Sequence, residues 1–332
     1  MKLVTYSGGD KIAGIGLVTA GGRVVDLERA VAWAGAPDGG EAEVLPSTMI
    51  DLLQVGPALL KRLGHVAGQL DTAGEASLDD MALPADVVLL APLPRPNNVR
   101  DFYAFEQHVK TARALRGAEM IPEWYQIPVF YFSNPDAIYG PEAPVPVPQE
   151  TQELDYELEL ACVIGKAGRD IPAERAEEYI AGYMVMNDWS ARDVQRLEMK
   201  MNLGPAKGKD FATSLGPWLV TPDELEDRRV GEGVETRYQL EMIARVNGKE
   251  YSRGNAASIT HTFAQMIAFA SRDVWLRPGD VIGSGTVGTG CILELRPETV
   301  GGWLKPGDVV EMEIERLGVL RNPVVAQPGR ET

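Results

Sequence analysis

One stretch limits this chain more than any other: Glu153-Leu154-Asp155-Tyr156-Glu157-Leu158-Glu159-Leu160, running straight into Ala161-Cys162-Val163-Ile164. Its first half alternates with period two, with leucines and a tyrosine on one face and four carboxylates on the other. Its second half is apolar throughout, the pattern of a strand buried on both faces. A strand that enters a core carrying several like charges needs a cation or basic partners. Alternate carboxylates stand roughly 7 Å apart along a strand and can lean on one cation.

Strands recur around this one. Lys2 to Tyr6, Ile12 to Thr19 and Arg23 to Leu27 are predicted as short strands, with a hairpin turn at Gly21-Gly22. Helical spacing covers Leu27 to Trp33 and Met49 to Leu63, and Val87 to Leu90 is again extended. The prolines of Ala91-Pro92-Leu93-Pro94-Arg95-Pro96-Asn97 break any regular element. They place a boundary between a small N-terminal β-rich domain, 1–90, and a main domain, 91–332. Beyond it Asp101 to Arg116 reads as a helix, Ala181 to Met186 as a strand and Trp189 to Leu197 as a helix. Asn247-Gly248 closes a hairpin, and Pro278-Gly279 and Pro306-Gly307 each turn the chain into a strand. No regular β–α alternation supports a Rossmann sheet. The expected class is α+β, mostly β.

Bulk properties exclude several functions. The formal charge of −16 argues against nucleic acid, whose phosphates call for clustered Lys and Arg. No apolar run suits a signal peptide or a membrane span, and the two cysteines, Cys162 and Cys291, form no disulfide framework or zinc motif. A cytoplasmic, reducing location is the expectation.

Asp188, after the apolar Met184-Val185-Met186, precedes Arg192 and Gln195 at helical spacing, which suits a helix-capping aspartate or a ligand at a strand–helix junction. Among three histidines, His65 lies in a polar stretch and His261 opens a helix. His108 follows Asp101 and Tyr103, a setting for a base near neutral pH. The loop Gly204 to Ser214 carries Lys207 and Lys209 but lacks the Ser or Thr of a P-loop. It is either a solvent loop or a source of cations for an anionic intermediate.

Taken in order, Asp101-x-Tyr103-x4-His108, Asp155-x-Glu157-Leu158-Glu159, Asn187-Asp188-Trp189-Ser190-Ala191-Arg192-Asp193-x-Gln195, Gly208-Lys209-x-Phe211-x-Thr213 and Ser284-Gly285-Thr286 resemble the fumarylacetoacetate hydrolase family over roughly residues 95–315. The resemblance implies a mixed β-roll catalytic domain, a homodimer, and Mg²⁺, Ca²⁺ or Mn²⁺ held by Asp101, Glu157, Glu159 and Asp188, with Thr213 beside them. It implies His108 as general base, Lys209 and Arg192 as cations stabilising an enolate, and Tyr103, Arg116, Tyr131, Gln195 and Thr286 as substrate contacts. The implied reaction is hydrolytic cleavage of a carbon–carbon bond in a 1,3-dicarbonyl or 2-oxo acid substrate. Decarboxylation, hydration or isomerisation of a 2-oxo acid, or simple binding of one, are the alternatives.

Two departures from the family are expected. The glutamate that orients the histidine has no counterpart in Val287-Gly288-Thr289-Gly290-Cys291, leaving Glu106 as a substitute. Met199 stands where a family tyrosine would.

Overall fold

The apolar Leu158–Ile164 strand is buried along its whole length because each face meets a different core. Leu158, Leu160, Cys162 and Ile164 point into one cluster, while Ala161 and Val163 point into the other. The computed structural model describes residues 1–8, 11–35, 45–84 and 86–327.

The large sheet has the order Val24–Asp26, Lys11–Val18, Lys2–Gly8, Thr213–Val220, Ile180–Asp188, Leu158–Ile164, Val281–Gly283, Val99–Phe102 and Phe130–Ser133. Most neighbours are antiparallel; Val281–Gly283 beside Val99–Phe102 is parallel, so the sheet is mixed. A second sheet runs Lys249–Asn255, Glu241–Val246, Val309–Ile314, Gly318–Val325 and Val145–Pro146. The core containing Leu158 and Leu160 also holds Met242, Ala244, Val310 and Met312 of the second sheet. The other core sets Ala161, Met184 and Leu215 against the N-terminal strands and helices. The α+β, mainly β class is what the alternating patterns lead one to expect.

The first 90 residues supply four strands to the large sheet: three continue it through the antiparallel pairing of Lys2–Gly8 with Thr213–Val220, and Val88–Leu90 also pairs with Lys2–Gly8. The helix read from Met49 to Leu63 is two helices, Met49–Val55 and Pro57–Leu70. Gly56 ends the first at φ 105°, and Pro57 starts the second at a position where its missing N–H costs nothing.

Two other readings are corrected. Asp101 lies not in a helix but in the Val99–Phe102 strand, and the helix begins only at Glu106 and runs to Ala114. Asp188 takes the second of its two readings, at a strand–helix junction, as the last residue of the Ile180–Asp188 strand opposite Thr213, but the helix expected from Trp189 starts later. Ser190-Ala191 first pairs with Leu154-Asp155, and the helix spans Arg192–Met199. In each case pairing with distant strands overrode helical spacing that was visible locally.

Candidate active site

Asp101, Glu159 and Asp188 lie on separate strands of the large sheet, and Glu157 lies just before one of them. The strand expected from Glu153 to Leu160 is interrupted: Leu154–Asp155 and Leu158–Ile164 flank an irregular Tyr156-Glu157. The break separates the four acids that alternation put on one face. Glu153 pairs with Arg196 and Asp155 with Arg192, while Glu157 and Glu159 turn toward Asp101 and Asp188.

One oxygen from each of Asp101, Glu157, Glu159 and Asp188 lies within 4.8 Å of the others, and all four residues are buried. Gly283 makes room for them, since a Cβ there would lie 2.6 Å from Asp101 Oδ1. Gly285, at φ +77°, donates its N–H to Glu159 Oε2 at 3.0 Å and to Asp101 Oδ1 at 3.2 Å. Lys209 Nζ donates to Glu157 Oε2 and Asp188 Oδ2, each at 2.5 Å, and Tyr131 Oη donates to the same Asp188 oxygen at 2.6 Å.

The electrostatics are those of a site short of positive charge. Burial, then the Asp188 charge, push the Asp101 carboxyl well above its ordinary range. Burial and Asp101 do the same to Glu159, and burial raises Asp188 against the pull of Lys209. Glu157 goes the other way: burial opposes ionisation, but Lys209 and Arg192 outweigh it and hold the carboxyl low. Glu159 Oε1 and Asp188 Oδ1 are buried without a hydrogen-bond partner. Oxygen-only donors, mutual repulsion and two orphaned oxygens fit a hard divalent cation. Thr213 stands behind Asp188 with its hydroxyl 3.1 Å from Ser133 Oγ.

A cavity of about 270 Å³ opens above this floor. Its lining includes Asp101, Glu157, His108, Lys209 and Arg192, together with Tyr103, Arg116, Tyr131, Gln195 and Thr286. The side chains expected from sequence to touch a substrate therefore share one space, and Met199 joins them. Burial pushes the Tyr103 phenol up to about 12, so it is a hydrogen-bond donor at neutral pH. The Thr286 hydroxyl is buried and unpartnered.

His108 differs from expectation. Its Nδ1 lies 2.8 Å from Glu294 Oε2, with both side chains almost fully buried. The acid missing from Val287–Cys291 is present three residues further on, in the short helix Ile292–Leu295. Glu106 has no part in it; at the surface it pairs with Lys110 and accepts a hydrogen bond from Tyr125. Asp155 was missed as well. It holds Arg192 and accepts the backbone N–H groups of Ile292 and Leu293, at 2.7 and 3.0 Å, just before Glu294. Of the other histidines, His65 is exposed, and His261 Nε2 contacts the Trp124 carbonyl at 2.8 Å.

An outer cavity of about 750 Å³ adjoins the first through Arg116, Arg192, Gln195 and Met199. Arg116, Arg196, Lys200 and Arg296 surround it, with Glu298 the one acid among the described residues that line it. Among the described residues no helix is long and apolar enough to cross a membrane.

A mitochondrial oxaloacetate tautomerase of Xenopus laevis is 32% identical over 98% of this chain and 90% of its own length. A fumarylacetoacetate hydrolase from psychrophilic Exiguobacterium antarcticum has a TM-score of 0.70 at 27% identity, covering 98% of this chain and 100% of that one. A maleylpyruvate hydrolase from Sphingobium sp. SYK-6, solved with manganese(II) and pyruvate, reaches a TM-score of 0.66 at 25% identity with the same coverage. The family model for the fumarylacetoacetate (FAA) hydrolase C-terminal region matches residues 97–325, and the chain belongs to the fumarylacetoacetate hydrolase family.

Proposed function

We propose that this enzyme is a divalent-cation-dependent hydrolase that splits a carbon–carbon bond in a 1,3-dicarbonyl or acylpyruvate-like 2-oxo acid. The observation that carries the reading is the buried His108–Glu294 pair, whose histidine lines the same cavity as Asp101 and Glu157. Asp101, Glu157, Glu159 and Asp188, with Thr213 behind them, would hold Mg²⁺, Mn²⁺ or Ca²⁺. A cation bound there supplies Lewis-acid polarisation of a carbonyl and anchors substrate oxygens.

The chain's own groups do the rest. Glu294 fixes the His108 ring through Nδ1 and leaves Nε2 as the basic nitrogen. His108 takes a proton from water, and the water oxygen bonds to the carbonyl carbon. The carbon–carbon bond breaks, and its electron pair leaves on the carbon of the departing enolate. His108 then returns the proton to that carbon. Lys209 and Arg192 keep positive charge beside the developing anion. Tyr103, Arg116, Tyr131, Gln195 and Thr286 orient the substrate. The cations around the outer cavity favour a substrate with a second carboxylate. The cytoplasmic homodimer expected from sequence belongs to the same proposal.

Keto–enol tautomerisation of a 2-oxo acid is the second reading, supported by the tautomerase relative matched along 98% of the chain. It uses the same base without a water. The deciding experiment follows fumarylacetoacetate, acylpyruvates and oxaloacetate by NMR, with chelator and then with Mn²⁺ or Mg²⁺ restored. Two product acids indicate hydrolysis. Faster enol-to-keto conversion without new acids indicates tautomerisation. No cation-dependent turnover of any of them would overturn both.

A further inference from the structure

The proposed reaction does not use Cys291, although it touches the base pair. Its Sγ lies 3.6 Å from Glu294 Oε2, the same oxygen that stands 2.8 Å from His108 Nδ1. One donor atom from each of His108, Cys291 and Glu294 falls within 4.8 Å of the others. The second carboxylate oxygen, Glu294 Oε1, is buried and has no hydrogen-bond partner. No disulfide removes the thiol, because Cys162 and Cys291 are both free.

We propose that His108, Cys291 and Glu294 form a second metal site, for a borderline-soft divalent ion such as Zn²⁺, and that filling it switches the enzyme off. The donor set is the reason. A nitrogen, a sulfur and an oxygen suit zinc, whereas the four carboxylates nearby offer oxygen alone. With bonds of roughly 2.0–2.3 Å, a tetrahedral ion needs its ligand atoms about 3.3–3.6 Å apart. The Cys291–Glu294 separation of 3.6 Å already matches, the histidine–glutamate contact of 2.8 Å must open slightly, and the histidine–cysteine pair starts from within 4.8 Å.

The ion's effect on the base follows from proton bookkeeping. Cys291 gives up its thiol proton to solvent and ligates as thiolate, while Glu294 ligates through a carboxylate oxygen. Neutral His108 ligates through the Nδ1 lone pair, so its ring proton must sit on Nε2. No lone pair then faces the cavity to take a proton from water. Nothing is oxidised or reduced.

The inhibitory part rests on His108 being the base, whereas the binding part does not. The test uses protein saturated with Mn²⁺, so that the carboxylate group is already supplied. Co²⁺ is added as a spectroscopic probe and Zn²⁺ as the inhibitor. Wild-type protein should take up one further Co²⁺ with a thiolate-to-cobalt charge-transfer band. Zn²⁺ should lower its turnover by about 100-fold or more, the usual worth of a general base, reversibly on chelation and Mn²⁺ return. Cys291→Ser and Cys291→Ala should lose the band and resist Zn²⁺, each compared with its own zinc-free rate. The wild-type cobalt spectrum needs no variant to fold, and it decides the site even if no substrate is turned over. Absence of the band would overturn the site; a band without inhibition, or equal zinc sensitivity in Cys291→Ser, would overturn the switch.

Discussion

Arg192 Nε donates to Asp155 Oδ2 at 2.8 Å, and the two side chains are almost wholly sealed from solvent. The same carboxylate accepts the N–H groups of Ile292 and Leu293, so it ties the Arg192–Met199 helix to the segment that carries Glu294. Asp155→Ala would leave a buried guanidinium with Glu157 as its remaining acid and strip the amides of Tyr156, Ile292 and Leu293 of their partner. Loss of about 3–5 kcal/mol is expected, the usual cost of breaking a buried pair. Urea denaturation measures it as a lower midpoint at unchanged slope. A midpoint matching the parent's would show that this bolt is dispensable.

His108 and Glu294 should behave as one unit. His108→Ala is expected to lower kcat/KM by roughly 10²–10⁴-fold, and Glu294→Gln by less, because the ring keeps its place but loses its fixed tautomer. The double variant should be little worse than His108→Ala alone. Strictly multiplicative losses would mean that the two residues act separately.

The cation-free protein should lose stability as pH rises. Asp101, Glu159 and Asp188 have folded values above their unfolded ones. Their contribution is complete below the unfolded value of about 4 and is lost as pH climbs through the raised values. Glu157, held low, has the opposite sign and contributes above its unfolded value of about 4.3. The three raised groups outnumber it. Cation binding must also displace protons from them, so the gain in melting temperature from Mn²⁺ should be larger at about pH 8 than at about pH 5.5. A gain independent of pH would contradict the protonated state of these carboxyls.

Gly285→Ala should damage the cation site without touching a ligand. At φ +77° an alanine is strained by roughly 1–3 kcal/mol, and its Cβ would lie 2.4 Å from the Phe102 carbonyl oxygen. The backbone must move, and with it the N–H shared by Asp101 and Glu159. Calorimetry should record Mn²⁺ binding at least about tenfold weaker, the lower end of what losing a ligand's support costs. Parent-like affinity would show that the amide is incidental.

Much of this was legible in the chain because it is local. The apolar run Leu158 to Ile164, the Asn247-Gly248 hairpin and the Pro-Gly turns at Gly279 and Gly307 each state their geometry within a few residues. Glu157, Glu159 and Asp188 stood out as charges beside apolar strands, and the family resemblance added Asp101. What stayed hidden depends on distance. Asp101 reads as helical until Val281–Gly283, some 180 residues later, pairs with it. Glu294 lies on a four-residue helix after a glycine-rich run, with no periodicity to aim it at His108. Asp155 looked like one more charge on a polar face, because nothing nearby shows that Arg192 and two amides converge on it.

The carboxylate floor spans neighbouring strands in fixed register, with Glu159 opposite Met186, Asp188 opposite Thr213 and Asp101 beside Gly283. In a sheet, a slip of one residue turns every side chain to the opposite face. A misaligned strand would therefore carry its acid away from the others and into an apolar core. Cation affinity in this enzyme is thus a gauge of strand alignment: a chain that has folded out of step cannot hold the ion, however native its secondary structure looks.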